Sequence, residues 1–153
     1  MTRLVHILHV EDDPDISDVV KLSLTVLGEF KIDRYSSGSE VVKLAADLSS
    51  DLLLLDMMMP GLNGLETLAK LRRFPQFADT PAILCTAKTV DLPSPEAAEV
   101  KGIIGTIHKP FEATDLAAQI QNMWDIHAAK RVASIALPAE ITGQATGPEI
   151  GVC

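Results

Sequence analysis

The chain has 153 residues, 47% of them hydrophobic, with a formal charge of −8 and a pI near 4.8. That is material for one ordinary domain with a real core, and it excludes wholesale disorder. An acidic surface without a segregated basic patch disfavours nucleic acid or anionic lipid as a partner.

The opening MTRLVHILHVEDD is too short and too quickly acidic for a signal peptide or a membrane span, so a cytoplasmic location is expected. Its run LVHILHV (4–10) reads as a first strand, nearly continuous in apolar residues as a strand covered on both faces must be. A helix follows, with Asp13 as cap, Pro14 in the first turn, Ile16, Val19, Val20, Leu24 and Leu27 as its apolar stripe, and Gly28 to close it. FKIDRY (30–35) alternates as an edge strand does, and a second helix is expected from about Ser39 to Leu48. DLLLLD (51–56) and PAILCT (81–86) are nearly continuous in apolar residues, as strands covered on both faces must be. Between them a helix after Asn63 places Leu65, Leu68 and Leu71 on one face. Pro93 and Pro95 leave a fourth helix little more than Glu96 to Lys101. GIIGTIH (102–108) gives a fifth strand, and a last helix after Phe111 turns Leu116, Ile120, Met123 and Trp124 inward. From about residue 130 the scattered Gly and Pro read as a tail, flexible or docked, with no output domain. Cys85 and Cys153 have no metal or disulfide spacing, and both read as reduced thiols, Cys85 buried.

Fivefold strand–helix alternation implies right-handed crossovers and a three-layer α/β sandwich, with ligands beyond the carboxyl ends of the strands. Those ends collect Glu11, Asp12 and Asp13 after the first strand, Asp56 after the third, Thr86 after the fourth and Lys109 after the fifth. Two carboxylates about 4 Å apart repel by roughly 4 kcal/mol at an effective dielectric of 20, so such a cluster needs an offsetting charge. All-oxygen donors favour Mg²⁺, or Mn²⁺, over zinc. A carboxylate held ionised in this way can act as a nucleophile toward phosphorus and form an acyl phosphate. His6, His9, His108 and His127 offer no compact ligand spacing and read as packed or solvated side chains.

The segments ILHVEDDPDI, DLLLLDMMMPGLNGLE, PAILCTA and IHKPF, in this order and over about residues 3–127, resemble the response-regulator receiver domain of two-component signalling. The resemblance implies a flavodoxin-like (βα)5 fold with a parallel sheet in the order 2-1-3-4-5 and a receiver domain over residues 1–129. It implies that Asp56 accepts a phosphoryl group from a histidine kinase or phosphotransfer protein, and that the chain signals by contact with a downstream protein. Asp12 matches the direct metal ligand, Glu11 a ligand acting through water, and the Met58 backbone carbonyl the third protein ligand. Asp13, directly before Pro14, is better employed as a cap than as a ligand. Thr86 matches the switch hydroxyl, Lys109 the phosphate-pairing ammonium and Ala87 a backbone donor. Lys109–Pro110 resembles a peptide bond that is often cis in the family. Such a domain catalyses only its own phosphorylation and dephosphorylation; homodimerisation is left open.

Three positions before Lys109, where the family carries an aromatic switch residue, this chain has Thr106. A small β-branched side chain cannot vacate or fill the same volume, so the expectation is a retained phosphorylation with a rewired readout. Met58 cannot position an attacking water and Lys88 stands two after Thr86, which together predict slow self-dephosphorylation. Two alternatives compete: a degenerate receiver serving as an unphosphorylated scaffold, and a phosphohydrolase of the haloacid dehalogenase type. The latter would carry a second aspartate where Met58 stands.

Overall fold

The computed structural model describes residues 3–87 and 102–152, with side chains described through Ala133. The expected short helix around Glu96–Lys101, as well as Lys88 and Cys153, lies outside the described residues. Five strands, β1 (His6–Val10), β2 (Lys31–Tyr35), β3 (Leu52–Asp56), β4 (Ala82–Thr86) and β5 (Ile103–His108), pair in parallel in the order β2-β1-β3-β4-β5. Among the described residues four α-helices accompany them: α1 (Pro14–Val26), α2 (Gly38–Leu44), α3 (Gly64–Leu71) and α4 (Ala113–Val152). This is the flavodoxin-like sandwich expected from the sequence.

The continuous apolar strands divide residue by residue between two cores, because successive side chains leave opposite faces of a sheet. Ile7, Leu52, Leu54, Ile83 and Cys85 face α1 and α4, where Val20, Leu24, Leu116, Ile120 and Trp124 cover them. Leu8, Val10, Leu53, Leu55, Ala82 and Leu84 face α2 and α3, under Val41, Leu65, Leu68 and Leu71. All five residues of β3 and of β4 are buried, whereas β2, paired on one side only, is half-exposed. Each fully buried leucine of β3 contributes about 1.5–3 kcal/mol relative to an exposed one. Four in a row hold Asp56, the next residue, against the cost of its own burial.

The helix starts are set by side-chain caps. Asp13 accepts from the N–H groups of Asp15 (2.9 Å) and Ile16 (3.3 Å), and Pro14 occupies the first turn of α1. Ser37 caps α2, which ends at Leu44 and passes into a 3₁₀ turn, Ala45–Asp47, in place of the single longer helix expected. Asn63 and Glu66 form a reciprocal capping box on α3.

Two details of α1 differ from the sequence pattern. Val19 and Leu27 are exposed, and the buried face runs through Ser17, Val20, Ser23 and Leu24. The cause is the packing partner: Ser23 Oγ donates to the Ala113 carbonyl at 2.5 Å, turning this face toward the start of α4. The left-handed residue after the helix is Glu29 (φ 56°) rather than Gly28, whose missing side chain makes room for the Phe30 ring.

α4 is also longer than expected. Its backbone stays helical to Val152, through the residues read as a tail, with Pro138 and Pro148 each withdrawing one N–H from the ladder. Trp124 is the last buried residue among those whose side chains are described. Among the described residues no helix is long and apolar enough to cross a membrane.

Candidate phosphoacceptor site

The parallel order brings the carboxyl ends of β1, β3, β4 and β5 to one edge, and there the acids meet the amine. Glu11, Asp12 and Asp56 each offer a carboxylate oxygen within 4.8 Å of the others. Lys109 Nζ donates to Glu11 Oε1 at 2.6 Å and lies 3.1 Å from Asp56 Oδ1. The Met58 N–H also donates to Asp56 Oδ1, at 3.2 Å. Glu11 and Asp56 are each 3% exposed, whereas Asp12 is open to solvent. Asp13 is not one of the three acids; its carboxylate is spent on the α1 cap.

The site's own charges perturb one another. Burial, aided by contact with Asp56, pushes the Glu11 carboxyl up to about 7, with Lys109 opposing. Burial works against the Lys109 charge, but Glu11 and Asp56 outweigh it and hold its pKa above the ordinary value. Lys109 thus serves as the internal counter-charge of a cluster that two adjacent carboxylates would otherwise disfavour.

Thr86 ends β4 fully buried, its carbonyl accepting from the Lys109 N–H at 2.8 Å, and exposed Ala87 follows it. The Lys109–Pro110 peptide is cis. Thr106 is half-buried and pairs in register with Leu84, as His108 does with Thr86, so Thr106, His108 and Thr86 share the sheet face that looks toward α2 and α3. Cys85 is the register partner of Asp56, and burial pushes its thiol up to about 12, which leaves it an inert packing residue. His6 meets Asp33 across the β1–β2 edge at 2.6 Å, away from the acids.

One residue that shapes the site was missed in the sequence, and one read there as packed or solvated proves buried close to it. Gly64 starts α3 against Asp56: a Cβ there would lie 2.7 Å from the Asp56 carbonyl oxygen and 3.0 Å from Met57 Cα. The second glycine of PGLNG was the available signal. His9 lies on β1 in register with Arg34 and Leu54, 1% exposed, with an Nδ1 that has no hydrogen-bond partner. Burial, then the Lys109 charge, lowers its pKa to about 4 against the pull of Asp56.

Residues 7–121 match the family model described as the response regulator receiver domain. Curated relatives include an uncharacterized transcriptional regulatory protein, YkoG, of Bacillus subtilis (38% identical over 116 residues, 76% of this chain and 49% of that protein). Another is the response regulator SaeR of Staphylococcus aureus (32% over 120 residues, 78% of this chain and 50% of that protein). The chain therefore spans about half the length of the curated relatives it matches. Among solved structures, the chemotaxis protein CheY4 of Vibrio cholerae superposes with a TM-score of 0.70 at 25% identity, covering 79% of this chain and 99% of that one. The receiver domain of a sensor histidine kinase of Pseudomonas aeruginosa, with a magnesium ion coordinated in its active-site cleft, superposes at 0.67 and 25% identity over 79% of this chain and 98% of that one. With the family model spanning three quarters of its length, the chain belongs to the response-regulator receiver domains of two-component signalling.

Proposed function

We propose that the chain is a phosphorylation-activated switch in which Asp56 accepts a phosphoryl group from the phosphohistidine of a kinase or phosphotransfer protein. The observation that carries this reading is the convergence of Glu11, Asp12 and Asp56 within 4.8 Å, with Lys109 bridging Glu11 and Asp56. In the transfer an Asp56 carboxylate oxygen forms a bond to phosphorus as the donor's P–N bond breaks and the imidazole leaves. Lys109, already within hydrogen-bond reach of Asp56, is placed to pair with the arriving phosphoryl oxygens.

A hard divalent cation fits this donor set, which is all oxygen and carries more negative than positive charge. Asp12 and Asp56 would hold Mg²⁺ (or Mn²⁺) directly, Glu11 through water, with the Met58 carbonyl as a further ligand. The chemistry such an ion supplies is neutralisation of the carboxylates and of the phosphoryl oxygens.

The groove beside Lys109 supports a protein as donor. It encloses about 230 Å³ between Ile16 and Val19 of α1 and Pro110–Phe111, and Val19, Leu22 and Val26 continue it as exposed apolar side chains along α1. A new dianion on Asp56 would recruit the Thr86 hydroxyl and the Ala87 N–H, and their shift is the signal passed to a downstream protein. Because Thr106 stands where the family has its aromatic switch, we read this chain's output as carried by the loop after Thr86. Met58, 56% exposed and unable to orient water, goes with slow loss of the phosphoryl group. We take residues 1–129 as the receiver unit.

Incubation with Mg²⁺ and a small phosphodonor tests this directly. Wild type is expected to take up one phosphoryl group and Asp56→Asn none; equal labelling of the two would overturn it. Thr86→Ala is expected to be labelled normally while losing the NMR shift changes of the residues that follow Thr86. Large changes confined to the surroundings of Thr106 would refute the rewired readout.

A further inference from the structure

The pole of the domain opposite Asp56 holds a cavity of about 440 Å³, within the range of small-molecule sites. One wall is α4, where Trp124, Ala128 and Arg131 follow at a spacing that keeps them on a single helix face. The other wall comes from the loops that lead into β3 and β4 and carries Asp51, Asp79 and Pro81. Charge on the two walls is opposite, yet the walls do not meet: among the described residues no ion pair joins the Arg131 side chain to Asp79 or Asp51, and Asp79 has only the Arg72 guanidinium acting on it from its own side. Asp51 spends one oxygen on the N–H groups of Val5 (3.1 Å) and His6 (2.9 Å), leaving its other oxygen for a ligand.

A simple anion entering this space would face two carboxylates, and a simple cation would face the guanidinium. A molecule carrying both charges satisfies both walls, and the indole and the proline ring favour an apolar body between them. We propose that this cavity binds a small zwitterion of the free α-amino acid class with an apolar side chain. Its carboxylate pairs with Arg131, its ammonium with Asp79 and Asp51, and its side chain lies against Trp124 and Pro81.

Trp124 is the chain's only tryptophan, and it lines this cavity, so a ligand bound there should change the fluorescence of the folded chain. The full chain is titrated with L-leucine and L-phenylalanine, and with isocaproate and isoamylamine, which each keep one charge of leucine. A saturable change is expected with an amino acid, at least about tenfold weaker with either half-molecule. Arg131→Gln and Asp79→Asn, both at exposed positions, should each weaken it roughly threefold or more. Asp56→Asn should bind as wild type does, which separates this site from the phosphoacceptor. The proposal is overturned if neither amino acid gives a saturable change, if a half-molecule binds as tightly as leucine, or if both cavity variants bind unchanged.

Discussion

Replacing His9 with leucine should change how stability depends on pH far more than it changes stability at neutral pH. The imidazole is 1% exposed and its pKa falls from 6.5 to about 4, chiefly through burial. For a base whose folded pKa is depressed, nothing is lost above 6.5, where both states are neutral. Below 6.5 the unfolded chain takes up a proton that the folded chain refuses, and stability falls until the pH reaches about 4. At about 1.4 kcal/mol per unit this amounts to roughly 3–4 kcal/mol at most, with most of it already expressed at about pH 4.5.

Wild type alone cannot reveal this, because Glu11 works in the opposite sense. Its carboxyl is raised from 4.5 to about 7, so its contribution is present below 4.5 and lost as the pH rises through about 7. Across much of the same window the two groups act in opposite directions. The variant removes one of them. Urea unfolding followed by Trp124 fluorescence at about pH 7.5 and about pH 4.5 should show His9→Leu gaining roughly 2–3 kcal/mol on wild type between the two conditions. At the higher pH the variant should be at least as stable, since it also removes a buried nitrogen without a partner, a defect worth about 1–3 kcal/mol. Parallel pH profiles for the two proteins would refute the reasoning.

Three further outcomes follow from the contacts. Lys109→Met should destabilise the metal-free protein by about 3 kcal/mol in chemical unfolding, since it leaves Glu11 and Asp56 facing one another without a counter-charge; millimolar Mg²⁺ should restore much of the loss. Gly64→Ala should cost about 1–3 kcal/mol, because its methyl would press on the Asp56 carbonyl; a heteronuclear spectrum should show the shifts centred on residues 56 and 57. Arg72→Leu should cost about 1.5–3 kcal/mol by thermal unfolding, since the guanidinium donates to the Phe77 and Thr80 carbonyls at 2.6 Å each and closes the approach to β4.

The parts of the site that were legible in the sequence share one property: each follows an apolar run directly, so strand ends and acid positions could be read together. Asp12, Asp56, Thr86 and Lys109 needed no knowledge of side-chain packing, only of a parallel sheet whose carboxyl ends share an edge. Helix faces were less legible, because a period of 3.6 gives the stripe but the partner selects its centre. Ser23 bonding to Ala113 rotated α1 so that Val19 and Leu27 fell outside the core. The extension of α4 was hidden by Pro138 and Pro148, since an interior proline removes a ladder hydrogen bond and crowds the carbonyl four residues before it, which reads as a stop. His9 differs from these, since the signal was present and stood between Leu8 and Val10. A strand read as covered on both faces buries every residue it contains, so the same inference that placed β1 inside the sheet also required a neutral imidazole beneath the acids. His9 therefore sits in the core beneath the acidic pair as a neutral side chain, on which burial and the Lys109 charge outweigh the pull of Asp56.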